Sequence, residues 1–150
     1  MKNKSHLVFV YGSLMSDQSA YMVWPNRAPR IVPAIIQAKL FDLGPYPAAV
    51  MGTGFVLGEL HYVDEVDWPQ TIGRLDEFEE FYPNDQASSL YSRNLVRART
   101  EEKSERAWAY FLSRGEMVSK LGKQFNSVEN NQSFLEIPCA SWSEYRKQLL

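Results

Sequence analysis

Val8-Phe9-Val10-Tyr11-Gly12-Ser13-Leu14 is the stretch from which the fold can be read. Apolar, β-favouring residues run straight into a glycine with a small hydroxyl residue behind it, so a buried strand delivers its backbone to a tight turn. Gly12 is expected to take backbone conformations closed to other residues. Such a turn leaves backbone N–H groups unpaired and pointing one way, which suits an anion or a developing oxyanion. Taken alone, the stretch is read more simply as a strand that ends in a turn. What adds a functional reading is a second stretch, around Glu79.

Moving outward, Ser16 or Asp17 can cap a short helix that reaches Trp24 and stops at Pro25. Residues 27–43 hold Pro29 and Pro33 among branched apolar residues and read as an irregular strand, at an edge or bulged. Gly44-Pro45-Tyr46-Pro47 is a stiff turn. Strands follow at 48–51 and 55–63, separated by Gly52-Thr53-Gly54. In the second, Val56, Gly58, Leu60 and Tyr62 share one face, and Leu57, Glu59 and His61 the other. Asp67-Trp68-Pro69-Gln70 predicts a helix start, with Asp67 as N-cap and Gln70 in the capping-box position. That helix should run to about Phe81 and close near Pro83. Residues 84–89 are a polar loop, and 90–100 with 106–112 predict a β-hairpin. A helix is expected over 116–125 and a polar loop over 126–133. Ser141-Trp142-Ser143-Glu144 caps a last helix that runs to the C-terminus. Strands dominate around one well-marked helix, which predicts a small α+β domain whose sheet curls or closes over that helix.

The 150 residues suit one domain with a real core, spanning 1–150. Hydrophobic residues at 45% and charged residues at 23% argue for a globular chain and against disorder. A net charge of -2 and a pI near 5.7 give no footprint for nucleic acid or an acidic membrane surface. The apolar run after Lys2 and Lys4 is too short for a signal-peptide core, and no run approaches transmembrane length. Cys139 is the only cysteine, so an internal disulfide is impossible and a reducing cytoplasm is the expected setting.

The helix after Asp67 carries an anomaly. At 100° per residue, Thr71, Ile72, Leu75, Phe78 and Tyr82 fall on one side, which must face the core. Glu79 projects between Ile72 and Leu75, inside that stripe, whereas Glu77 and Glu80 project away and Asp76 sits on the margin. A carboxylate on a buried stripe is costly unless it is paired, and desolvation raises its pKa. A raised pKa is what a general base or acid near neutral pH needs. The competing reading is a rim glutamate satisfied by Arg93 or by a backbone N–H.

Together these stretches resemble the γ-glutamylcyclotransferase-like family. The matching residues are Val8 through Leu14 and Leu75-Asp76-Glu77-Phe78-Glu79, followed by Tyr91-Ser92-Arg93 and Val96. Trp108-Ala109-Tyr110-Phe111-Leu112 and the 137–145 stretch with Trp142 are similar to the later strand and tail of short bacterial members. The resemblance implies a small, mostly antiparallel or mixed β-barrel with flanking helices and a cavity at its mouth. It implies catalysis on γ-glutamyl amides without a metal or an organic cofactor. Carried over, Tyr11, Gly12, Ser13 and Leu14 hold the γ-glutamyl group, largely through backbone contacts. Glu79 takes a proton from the substrate's α-amine, the amine attacks its own γ-carbonyl, and the proton passes to the departing amine, leaving 5-oxoproline. A small γ-glutamyl molecule, rather than nucleic acid or a membrane, is the partner this implies; the oligomeric state stays open.

The chain departs from that pattern in two places. Many members carry glycine directly after the glutamate, whereas this chain has Glu80, which adds a negative charge near Glu79 and bears on how the helix ends. The Tyr91-Ser92-Arg93 stretch arrives after a longer polar loop, leaving the roles of Tyr91 and Arg93 open. Tyr46 and Tyr110 are equally placed to line a pocket or to pack a barrel. His6 and His61 lack the spacing of a metal site, and Gly52-Thr53-Gly54 lacks the helix that a phosphate-binding loop requires. Two functions of different class follow: an active cyclotransferase, or a non-catalytic small-molecule-binding module on the same fold.

Overall fold

The structure, a computed structural model, describes residues 5–113, 123–125, 134–135 and 137–148. Its strands are β1 (Ser5–Val10), β2 (Arg30–Asp42), β3 (Pro47–Asp64), β4 (Tyr91–Arg99), β5 (Ser104–Leu112) and β6 (Lys123–Phe125). The helices are α1 (Trp68–Phe78) and α2 (Trp142–Gln148), with a short 3-10 turn at Ser19–Val23.

Five strands close a mixed barrel. β1 lies between β3, antiparallel with Val8 opposite His61, and β5, parallel with Val8 beside Trp108. β5 pairs antiparallel with β4, β4 meets β2 at Ile35 and Arg99, and β2 pairs back onto β3, which completes the ring. β6 adds a short sixth strand to β2.

β1 explains why this sequence must close around it. Its alternate residues enter two different cores, Phe9 facing the barrel interior and Val8 and Val10 facing the layer beneath α1. A strand buried on both faces reads as an unbroken apolar run, as residues 7–11 do. The interior packs Phe9, Ile36, Leu40, Val56, Leu60 and Phe111 against alanines of β2, β4 and β5, the small residues a narrow barrel needs. Trp142 of α2 joins that core, and Ala140 just before it is stitched to β3 by Leu57 N–H to Ala140 C=O at 2.8 Å and Ala140 N–H to Phe55 C=O at 2.9 Å. Ser141 caps α2, accepting the Glu144 N–H at 3.3 Å.

Several elements differ from the sequence reading. The strands expected at 48–51 and 55–63 are one strand, β3, that runs through Gly52-Thr53-Gly54; the register against β2 shifts there, and Gly54 takes φ 95°. The glycines make a bulge rather than a turn, because β2 continues alongside on both sides of them. β2 itself carries the expected irregularity, between Gln37 and Lys39. Of the helix expected over 116–125, the described residues 123–125 are instead the strand β6, in which Phe125 pairs with Leu40 and Lys123 with Asp42; pairing with the edge of β2 outweighs local helix propensity there. Residues 116–122, like the loop expected at 126–133, lie outside the described residues. Neither Ser16 nor Asp17 caps the first helical turn, which begins after Gln18. Ser16 bonds Glu59 and Asp17 accepts from Ser143. α1 starts at Asp67 as expected, through Thr71 N–H to Asp67 C=O at 3.0 Å, although the Asp67 side chain makes no cap bond. Among the described residues no helix is long and apolar enough to cross a membrane.

Candidate active site

Two chain segments meet at a cavity of about 260 Å³ at one end of the layer between β1 and α1. The first is the turn after β1. Met15 N–H closes it on Gly12 C=O at 3.0 Å, and among the described residues the N–H groups of Ser13 and Leu14 donate to no protein acceptor. Tyr11, Gly12, Ser13 and Leu14 all line the cavity. Gly12 is required for a reason other than the one expected. Its φ is not positive; instead a Cβ there would lie 2.5 Å from Pro47 Cγ, so only glycine lets the turn pass against the start of β3.

The second segment is the end of α1. Glu79 is its C-cap, Glu80 takes the left-handed φ of 52°, and Phe81 turns inward. Glu80 N–H bonds Glu77 C=O at 3.2 Å and Phe81 N–H bonds Asp76 C=O at 2.9 Å, the paired bonds of a Schellman ending. The helix therefore stops at Phe78 and not at Phe81. The projection onto a core-facing stripe holds for Thr71 and Leu75, both fully buried, and fails from the last helical residue onward: Phe78 and Tyr82 are exposed, and Phe81 fills the core in their place. Leu90 N–H to Glu80 C=O at 3.0 Å fastens this ending to the segment that leads into β4.

Glu79 itself is half-buried in the cavity wall, so the turn and the helix carboxyl share one space. Among the described residues its carboxylate has no hydrogen-bond donor and no cation. Burial pushes its pKa from the ordinary 4.5 up to about 8. The negative end of α1 opposes its ionisation as well. Arg93, a possible partner on sequence grounds, is committed elsewhere: Nε and Nη2 grip Asp76 Oδ1 and Oδ2 at 2.9 and 3.2 Å.

The remaining walls are tyrosines whose hydroxyls are already in use. Tyr11 donates to Tyr110 C=O at 2.6 Å and accepts from Ala49 N–H at 3.1 Å. Tyr91 donates to Pro47 C=O at 2.9 Å, and Tyr110 to Asp76 Oδ1 at 2.6 Å. Burial raises all three phenol pKa values, and the nearby Glu79 charge raises them further. They shape the cavity and do not move protons near neutral pH. Tyr46, half in solvent, stands edge-on to Tyr91 at its rim with Phe78 and Glu80. Thus Tyr46, Tyr91 and Tyr110 are cavity residues, and Arg93 is not.

Sequence reasoning missed Asp76, which ties Arg93 and Tyr110 together beneath the cavity. Arg93 and Tyr110 are directly opposite each other on β4 and β5, a register that no spacing in the chain announces. The available signal was the place of Asp76 on the stripe's margin.

Comparison with known proteins shows the family and the fold. Residues 8–144 match the family described as gamma-glutamyl cyclotransferase, AIG2-like. A gamma-glutamylcyclotransferase family protein of Citrobacter rodentium, ytfP, is 30% identical over 107 residues, covering 71% of this chain and 82% of its own. The crystal structure of YkqA from Bacillus subtilis superposes with a TM-score of 0.56 at 25% identity over 72% of this chain, which spans only 36% of YkqA. That of an AIG2-like protein from Mus musculus superposes at 0.58 and 20% identity, over 79% of this chain and 84% of that one, and shows the same fold. The chain belongs to the gamma-glutamyl cyclotransferase, AIG2-like family.

Proposed function

We propose that this protein is a cofactor-independent, cytoplasmic γ-glutamyl cyclotransferase that releases 5-oxoproline and a free amine or amino acid from a small γ-glutamyl substrate. One observation carries the reading: an unpartnered carboxyl group raised to about 8 shares a cavity with a turn whose backbone N–H groups have no protein acceptor.

In this scheme Tyr11, Gly12, Ser13 and Leu14 bind the γ-glutamyl group. The ionised Glu79 takes a proton from the substrate's α-ammonium. The freed nitrogen attacks the γ-carbonyl carbon, and the carbonyl oxygen gains negative charge, which the turn's N–H groups stabilise. As the C–N bond to the leaving group breaks, Glu79 returns its proton to the departing nitrogen and takes the second proton of the ring nitrogen. That proton then passes to the free amine, leaving a neutral lactam and an ammonium product. No water is consumed and no side chain becomes acylated. A carboxyl titrating near 8 is well matched to an amine, since proton transfer in both directions is then nearly balanced. Holding the substrate folded for ring closure supplies much of the remaining acceleration.

The test is to incubate the protein with γ-glutamyl peptides and γ-glutamylamines and to assay 5-oxoproline. Glu79→Gln should retain the fold and lose about a thousandfold or more in kcat. Full activity in that variant overturns the catalytic role of Glu79. Binding of panel members without product from any of them identifies a non-catalytic binding module instead.

A further inference from the structure

A second polar cluster, outside the cavity, holds the turn from behind. Glu59 of β3 lies opposite Val10 of β1, and its side chain is 16% exposed. Its Oε1 accepts the Ser16 N–H at 2.8 Å, and its Oε2 accepts the Ser16 hydroxyl. Both oxygens thus act on the residue directly after the turn. Oε1 also bonds His61 Nε2 at 3.1 Å. His61 is fully buried and stacks flat on Trp24, with ring centroids 4.3 Å apart and planes 11° apart. Trp24 in turn donates its indole N–H to Leu14 C=O at 2.9 Å. A circuit of Leu14, Trp24, His61, Glu59 and Ser16 therefore braces the turn on both sides of Met15, yet of these only Leu14 lines the cavity.

The charge state of this cluster follows from its partners. Burial works against ionisation of Glu59, but hydrogen bonds from His61 and Ser16 outweigh it and hold the carboxyl below its usual value. An ionised carboxylate only accepts, so His61 presents Nε2–H to it, and His61 Nδ1 is left buried without a partner. A phenylalanine would avoid that orphaned nitrogen. What the histidine supplies in exchange is the donor on Glu59. The β1–β3 ladder already fixes the strands; the bonds from Glu59 act on the segment after β1, where the ladder has ended.

We propose that Glu59, backed by His61, is a positioning residue for the reaction: it holds the exit of the Gly12–Met15 turn so that the turn's N–H groups stay aimed at the substrate oxygen as charge develops. This rests on the cyclotransferase reading of Glu79 and the turn. Donors fixed before the charge appears are worth far more than donors that must reorganise, so a looser turn should reduce kcat more than it weakens binding.

The experiment compares wild type with Glu59→Gln, His61→Phe and Trp24→Phe, reading steady-state kinetics, the pH–rate profile and amide hydrogen exchange. In Glu59→Gln, kcat is expected to fall about ten- to hundredfold with KM changed less than about threefold. The rising limb near pH 8, set by Glu79, should not move. Exchange of the bonded Met15 and Ser16 amides should rise about tenfold or more while those of β1 and β5 stay unchanged. His61→Phe and Trp24→Phe should show smaller effects of the same kind. An active wild type, with kcat within twofold and unchanged turn exchange in Glu59→Gln, overturns the positioning role alone. Exchange rising throughout the barrel, with kcat falling only as the folded fraction falls, also overturns it by making Glu59 a stabilising residue. A wild type that yields no 5-oxoproline overturns the cyclotransferase reading, and the positioning role with it.

Discussion

Glu79 departs from its ordinary titration because burial in the cavity wall takes its carboxyl out of water and the surroundings offer the carboxylate no donor. The consequence for stability has a definite sign. Between about 4.5 and about 8 the unfolded chain has released this proton while the folded protein keeps it, so the folded state binds more protons and loses stability as pH rises through that window. Glu79→Gln removes the penalty. Its Tm should match wild type near pH 5 and exceed it by about 4 °C or more at pH 9, read by thermal melts at the two values. The rate should move oppositely, rising in wild type through pH 8 as the base ionises. The neighbouring Glu80 gives a second test. It occupies the left-handed position where glycine is preferred, beside the negative end of a helix, so Glu80→Gly should stabilise the fold by about 1 kcal/mol in urea titrations. Wild-type stability or less would mean that Glu80 forms a compensating contact.

At the scale of elements, the site depends on two close approaches. The turn passes Pro47 at a distance that excludes a Cβ on Gly12. Gly12→Ala should therefore lose most activity, and Gly12→Ala combined with Pro47→Ala should recover part of it; no recovery would show that backbone geometry, not contact with Pro47, makes glycine necessary. Beneath the cavity, Asp76 holds Tyr110 and Arg93 together. Asp76→Ala strands a guanidinium that is only 17% exposed, and about 3 kcal/mol of destabilisation is expected in denaturant melts. The contrast between these features explains what could be read in advance. β1 and its turn were legible because burial on both faces writes an uninterrupted apolar run. Glu79 was legible because it follows Thr71 and Leu75 at i+4 spacing along the buried line. Phe78 lies on the other margin of that stripe and is exposed, and Tyr82 lies past the cap, where the helical phase has ended. The Asp76–Arg93–Tyr110 cluster and the Glu59–His61 brace were not legible. Arg93 and Tyr110 meet through strand register, which is set by pairing across the whole sheet. Glu59 and His61 share a face by local spacing, but their contacts with Ser16 and Trp24 come only from how the segment after β1 folds back on β3.

The whole molecule is a barrel closed by distant partners, with α2 covering its interior. Trp142 is almost fully buried in that interior, and Trp142→Ala should cost about 3–5 kcal/mol, seen as a shift of the denaturation midpoint without a change in the number of transitions. Two separate transitions would mean that the two cores melt independently. They are not expected to, since Phe9 belongs to one and its neighbours Val8 and Val10 to the other. The same arrangement sets an order in time. β1 finds one neighbour in β3 and the other in β5, and the Tyr11–Tyr110 bond that ties one cavity wall to another joins residues 99 positions apart. Contacts of such long sequence separation form slowly and last, because loop closure must come first. A chain refolding from denaturant should therefore regain its helical signal well before the cavity shared by Glu79 and the Gly12 turn is assembled. Synthesis on the ribosome meets the same constraint: the N-terminal turn that would hold the substrate emerges first, and has no pocket to belong to until β5 has been made.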